Sequence, residues 1–152
     1  MGTMFRATIL VLVPLSTIGA AQAPAQLPVG GPRFETVAIK RNPSQLADPT
    51  GSYERPDGGF AAINQPIMAL VVRSYPPASQ IRMQGLPDWA HFDHYDVVAT
   101  SALGRLATSE ERLAMIQALL RDHFKLIARF EQPEPGGSAV IVISQLEPPS
   151  QR

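Results

Sequence analysis

The stretch Thr108-Ser109-Glu110-Glu111-Arg112-Leu113-Ala114-Met115-Ile116-Gln117-Ala118-Leu119-Leu120-Arg121-Asp122-His123-Phe124-Lys125-Leu126-Ile127-Ala128-Arg129-Phe130-Glu131 holds two periods in succession. Thr108 through Glu111 spell a capping box, in which a threonine and a glutamate three residues on satisfy each other's backbone donors. Two acids then sit in the electropositive first turn. Leu113, Ile116, Leu120 and Phe124 recur at helical spacing, with Met115 and Leu119 widening the stripe. From Lys125 the apolar period drops to two: Leu126, Ala128 and Phe130 share one face, with Arg129 and Glu131 on the other. A helix running straight into a strand excludes an all-helical and an all-β chain together.

Working outward, the same grammar recurs. Phe34 to Lys40 is rich in β-formers and bounded by Pro32 and Pro43, which predicts a strand. Arg41 to Gly59 carries Asn42-Pro43, Asp48-Pro49, Pro56 and Gly58-Gly59, which predicts a long exposed loop. Phe60 to Ile63 predicts a short strand, with Asn64 as cap and Pro66 in the first turn of a helix. Ile67, Leu70, Val71 and Tyr75 form its buried face, and Pro76-Pro77 ends it. Gln80 to Gln84 alternates up to Gly85, predicting a strand. Leu86-Pro87-Asp88-Trp89 predicts a tight turn or one helical turn, with Trp89, the only tryptophan, against the core. Tyr95 to Ala99 is a further strand. After a turn at Pro133–Gly137, the all-apolar Ala139–Ile143 run predicts a strand buried on both faces. The expected class is α+β: one mainly antiparallel sheet with two helices packed on one face. Its structural residues are Trp89, Tyr75, Leu113, Ile116, Leu120 and Phe124.

Composition bounds the function. The chain has 152 residues, room for one domain, with 15 prolines and 11 glycines, too many for a helical bundle. Thirteen Lys and Arg balance thirteen Asp and Glu, leaving no electrostatic case for nucleic acid as a partner. With no cysteine, disulfides, thiolate metal sites and cysteine nucleophiles are excluded. Residues 1–21 read as a signal peptide: Arg6, an apolar Ala7–Ile18 run too short to span a bilayer, then Gly19, Ala20 and Ala21. Cleavage is expected after Ala21 or Ala25, leaving no stable membrane anchor and a secreted or periplasmic chain. Residues 22–33 read as a flexible linker, 34–145 as a single α+β domain and 146–152 as a tail.

Candidate chemistry is sparse. His91, Asp93 and His94 form the one local group of ligand-type residues, weak candidates for a metal. In extended backbone the two histidines point to opposite faces, which defeats chelation, and a polar turn explains them without a ligand. No nucleophile elbow surrounds Ser74, Ser79, Ser101 or Ser138, and Gly58-Gly59 lacks the lysine and helix of a phosphate loop. Glu110 and Glu111 are explained by the helix start. Arg73, Arg82, Arg112, Arg121 and Arg129 are scattered over several elements. No catalytic residue and no cofactor is assigned. The expected role is a non-enzymatic binding or sensor-like interaction module for an unknown protein or small ligand, with a small hydrolase built on His91, Asp93 and His94 as the alternative.

The segment Phe34-Glu35-Thr36-Val37-Ala38-Ile39-Lys40-Arg41-Asn42 resembles the F-E-V-A-S-I-K-P-N opening of a Soli-type family of uncharacterised secreted proteins, found as paralogous sets in soil acidobacteria. Gly58-Gly59-Phe60, Asn64, Leu70, Tyr75, Gly85-Leu86-Pro87-Asp88-Trp89, Tyr95-Asp96-Val97, Met115, Leu119-Leu120 and Phe124-Lys125-Leu126 are similar to later family motifs. His123 stands where the family has arginine, and Pro76-Pro77 replaces a more helical continuation. The family's D-x-T-G-L-x-G-x-Y section has no counterpart, so a short or truncated member is expected. The resemblance implies a secreted domain without an assigned activity. Domains attached to antirepressor-type membrane metallopeptidases imply a sensing role. Truncation would bare one edge of the 139–143 strand, and self-association through that edge is expected.

Overall fold

A computed structural model describes residues 31–44, 49–75, 82–131 and 140–150. The signal segment 1–21, the linker up to residue 30, Pro76-Pro77, the start of the Gln80 strand, the Pro133–Gly137 turn and Ala139 lie outside the described residues. The elements are β1 (Thr36–Asn42), β2 (Gly51–Glu54), β3 (Phe60–Pro66), α1 (Ile67–Ser74), β4 (Arg82–Gln84), α2 (Trp89–Phe92), β5 (His94–Thr100), α3 (Ser109–Phe124), β6 (Ile127–Glu131) and β7 (Val140–Gln145).

The α+β class holds, with the strands divided between two sheets. Four antiparallel strands lie in the order β1-β5-β3-β2; three more lie in the order β4-β7-β6, with β4 parallel and β6 antiparallel to β7. A single core joins them. Phe60, Ala62, Tyr95, Val97 and Ala99 from the larger sheet meet Ile141 and Ile143 from the smaller one, with the buried faces of α1 and α3 in the same cluster.

The helices follow their local codes. Thr108 caps α3 with the full reciprocal box to Glu111, and Ile116, Leu120 and Phe124 are completely buried. Leu113, expected in that stripe, is half-buried; Met115 and Leu119 carry the burial instead. The helix ends at Lys125, which takes a left-handed conformation (φ 53°) and re-aims the chain into β6. On α1 the stripe Ile67, Leu70, Val71 and Tyr75 is buried as its spacing requires, and Tyr75 turns extended ahead of Pro76. Trp89 opens α2 half-buried and meets Tyr95 edge-on at 6.4 Å, while Tyr95 meets Phe124 edge-on at 5.8 Å. Gly85 is the backbone hinge of this region: at φ 80° a Cβ would stand 2.1 Å from the Ile143 carbonyl, so only glycine allows β4 to close on β7.

Four expectations are corrected. The Arg41–Gly59 loop contains β2, which pairs with β3 from Gly51↔Ile63 to Glu54↔Phe60. Asn64 does not cap α1; the chain enters that helix from Pro66 with no side-chain cap, and Asn64 remains inside β3. The β7 strand is not an edge, because β4 and β6 flank it on both sides. Nor are its two faces equally buried. Ile141 and Ile143 are enclosed, whereas Val140 and Val142 are half-buried, so the apolar run reflects a central position in a sheet covered on one side.

Candidate functional site at the end of the larger sheet

Between Ala62 and Gln65 the register of β3 on β5 shifts, so that Ile63 and Asn64 together face Asp96. This is a β-bulge, which breaks the ladder and frees backbone groups for side-chain partners. Asn64 takes φ 51°, a left-handed conformation that asparagine tolerates better than most residues, and it is fully buried. Its N–H donates to Asp96 Oδ1 at 2.8 Å. The same carboxylate oxygen accepts from Asn42 Nδ2 at 3.0 Å, tying the end of β1 to the bulge. Asn42 Oδ1 accepts from the Ser44 N–H at 2.9 Å, turning the chain out of β1 at Pro43. The Asn64 carbonyl accepts from Thr50 Oγ1 at 2.9 Å, fastening the chain where it returns toward β2.

Against this network lies an open cleft of about 400 Å³ lined by Arg41, Asn42, Pro43, Asp93 and His94. Arg41 and Asp93 form an ion pair at 2.7 Å on its rim, with the guanidinium side chain 59% exposed. His94 Nδ1 lies 2.8 Å from Asn64 Oδ1. The amide oxygen can only accept, so Nδ1 carries the proton in that bond and Nε2 is the nitrogen left for a ligand. The site thus offers an exposed guanidinium already paired with Asp93, beside a histidine held in one orientation and one tautomer. These are binding functions: a fork for an anionic oxygen and an acceptor for a neighbouring donor.

The sequence-predicted residues are only partly brought together. Asp93 and His94 line the cleft, but His91 sits exposed on α2 beside the Phe92 ring. Asp93 is bound to Arg41 and His94 to Asn64. Among the described residues, no hydrogen bond joins any two of His91, Asp93 and His94, and no group of three or more His, Asp or Glu is placed to hold a metal. The relay needed by the hydrolase alternative has no counterpart in these contacts. Ser74, expected in a loop, ends α1, where its buried hydroxyl donates to the Val71 carbonyl at 2.9 Å. Arg73 and Arg112 converge on Glu54 at 3.7 and 2.7 Å, fastening β2 to both long helices.

Sequence reasoning missed Asn42, Asn64 and Asp96. The available signal was polar residues within β-forming runs, where a buried polar side chain needs a partner. Elsewhere, the phenol of Tyr75 is buried with no hydrogen-bond partner among the described residues, and burial pushes its pKa up to about 12.

No curated protein and no solved structure matches the chain. A DUF3738 domain, described as a protein of unknown function, is found at residues 69–143, so that the match takes in Asp93 and His94 and leaves Arg41, Asn42 and Pro43 outside it.

Proposed function

We propose that this chain is an extracytoplasmic binding module whose ligand seats in the Arg41–His94 cleft. The observation that carries the reading is the bulge network, which fixes His94 through Asn64 and fixes Asn42 through Asp96 at the mouth of an open cleft. A left-handed buried asparagine costs conformational energy, and such strain concentrates where a site must be preorganised. The apolar, small-residue pattern of residues 1–21 supports export, and no helix among the described residues is long and apolar enough to cross a membrane. The cleft chemistry favours a small ligand with a carboxylate for Arg41 and a hydroxyl or amine donor for His94 Nε2.

The test is a nuclear magnetic resonance titration of the full chain with a panel of amino acids and hydroxy acids, read at the His94 ring protons. Saturable shifts at His94 that disappear in Arg41→Ala are expected. Ligands that shift only residues remote from the cleft, or a panel without any saturable shift, would refute the assignment.

A further inference from the structure

His94 lines the open cleft half-buried, and the bonds behind it engage one ring nitrogen and leave the other for a ligand. Nδ1 donates to Asn64 Oδ1 at 2.8 Å. Asn64 is itself held at both backbone groups: its N–H donates to Asp96 Oδ1 at 2.8 Å, and its carbonyl accepts from the Thr50 hydroxyl at 2.9 Å. The neutral and the charged ring both carry a proton on Nδ1 in this bond, so the bond survives titration of His94. Only Nε2 changes, from an acceptor in the neutral ring to a donor in the charged one.

The remaining charge around the cleft cancels among the described residues. Arg41 of β1 pairs with Asp93 at 2.7 Å, and Lys40 of β1 stands opposite Asp96 in the register of β1 on β5. β3 brings Asn64, Gln65 and Pro66 to this end of β5, none of them ionisable. His91 of α2 is exposed and does not line the cleft. Two cations thus face two carboxylates, and the sign of the cleft is left to His94. Histidine is the side chain that changes charge between about pH 5 and 8. The cleft is neutral above that change and carries one positive charge below it.

We propose, resting on the reading of this cleft as a ligand site, that His94 is its specificity-determining residue: the neutral ring takes hydroxy acids and the charged ring takes dicarboxylates. One carboxylate of either ligand meets Arg41. The other end meets Nε2, where a hydroxyl donates to the bare nitrogen or a second carboxylate accepts from the protonated one. A carboxylate facing the neutral ring meets a lone pair. A hydroxyl facing the charged ring forgoes the charge assistance that a carboxylate receives. Protonation therefore selects between two ligand classes while the Asn64 bond holds the ring in place.

The test uses the full chain with tartrate and with threonate, which differ only in a terminal carboxylate against a terminal hydroxymethyl group. Both stay ionised across the histidine range from about pH 5.5 to about pH 8. Binding is read by nuclear magnetic resonance at the His94 ring protons. The ratio of tartrate to threonate affinity is expected to rise about tenfold between about pH 8 and about pH 5.5, the step from a neutral to a charge-assisted hydrogen bond. By linkage, tartrate should raise the pH midpoint of the His94 ring protons more than threonate does, the two midpoints parting by about one pH unit for that tenfold preference. In His94→Gln, whose side chain does not titrate, the affinity ratio should stay constant with pH. The wild-type midpoints need no variant, so they decide the matter even if His94→Gln does not fold. Saturable shifts at His94 with the same ratio at both pH values and equal midpoints would overturn the inference and leave the cleft assignment standing. No saturable shift at His94 with either ligand at either pH would end both. A pH-dependent ratio that persists in folded His94→Gln would place the selector on another residue and overturn the inference as well.

Discussion

The Asn64 N–H donates to Asp96 Oδ1 at 2.8 Å across the bulge of β3, so that the carboxylate faces the two residues of the bulge. Asn42 Nδ2 shares the same oxygen at 3.0 Å, so one side chain on β5 holds both neighbouring strands. Asn64 is fully buried and Asn42 nearly so, which means that neither donor can turn to water if the acceptor is lost. Asp96→Ala is therefore expected to cost about 1–3 kcal/mol, the penalty for stranding a buried donor. Asp96→Asn, which keeps an acceptor oxygen, should cost less. Urea unfolding of the two variants checks the order; equal loss in both would mean that the carboxylate charge, not the accepted bond, stabilises the bulge.

The start of α3 makes a prediction about acid. Arg105 holds both Glu111 oxygens, at 2.8 and 2.9 Å, and the Thr108 N–H donates to Oε2 at 2.8 Å. The Arg105 hydrogen bonds first, and the Thr108 N–H second, lower the Glu111 pKa from its ordinary 4.5 to about 2. A depressed carboxyl pKa stabilises the fold above the unfolded value and loses that effect as pH falls through the folded one. Stability should thus decline between about pH 4.5 and about pH 2 through this residue. Side-chain carboxyl shifts followed against pH should place Glu111 near 2 in the native chain and closer to its ordinary value in Arg105→Ala. Thr108→Ala removes the reciprocal cap and should cost about 1 kcal/mol.

Leu120 lies on the buried face of α3 with no exposed surface, between Ile116 and Phe124 in the common core. Truncating a leucine there removes its transfer energy and leaves a cavity that the surrounding sheets can only partly close. Leu120→Ala should cost about 2–5 kcal/mol in urea melts, a large share of a small domain's stability. Leu113→Ala, at a half-buried position of the same helix, should cost clearly less. A shift below about 0.5 kcal/mol for Leu120→Ala would contradict the packing of this helix in the core, since values that small belong to surface positions.

The elements legible in the sequence are those set by near neighbours. The α3 cap and the change from helix to strand at Lys125 lie within two dozen residues and stand where the sequence puts them, while the stripe shifts toward Met115 and Leu119 and Phe130 is left exposed. β2 was hidden because Gly51-Ser52-Tyr53-Glu54 is polar, flanked by turn residues and defined only by its pairing with β3. The division into two sheets was hidden for the same reason: strand order is a property of contacts between distant segments. The candidate site depends most on such contacts. Asn42 and Asp96 stand 54 residues apart, Asn64 and Asp96 stand 32 apart, and the bulge that joins them exists only once β3 lies on β5. Asp93 and His94 attracted notice as ligand types, but their partners, Arg41 and Asn64, come from other strands.

The position of β7 reverses the expectation that it forms a sheet edge. An uncharged β-branched run ahead of a chain terminus reads as an open edge, and a lysine at Ile141 would then protect a monomer. In the structure β7 runs between β4 and β6, with Met83 on one side of Ile141 and Phe130 on the other, and Ile141 itself is 1% exposed. A lysine there would carry an unpaired ammonium into the core, a cost of several kcal/mol. That is of the order of the whole stability of a domain this size. Ile141→Lys is therefore expected to lose its helical and β circular dichroism signal instead of sharpening into a monomer on sizing chromatography. Val142→Lys makes the contrast: Val142 is half-buried on the opposite face of the same strand, between Gln84 and Arg129, where a long side chain can reach solvent. That variant should fold. A folded, monomeric Ile141→Lys would place β7 at an edge after all and overturn the sheet order β4-β7-β6.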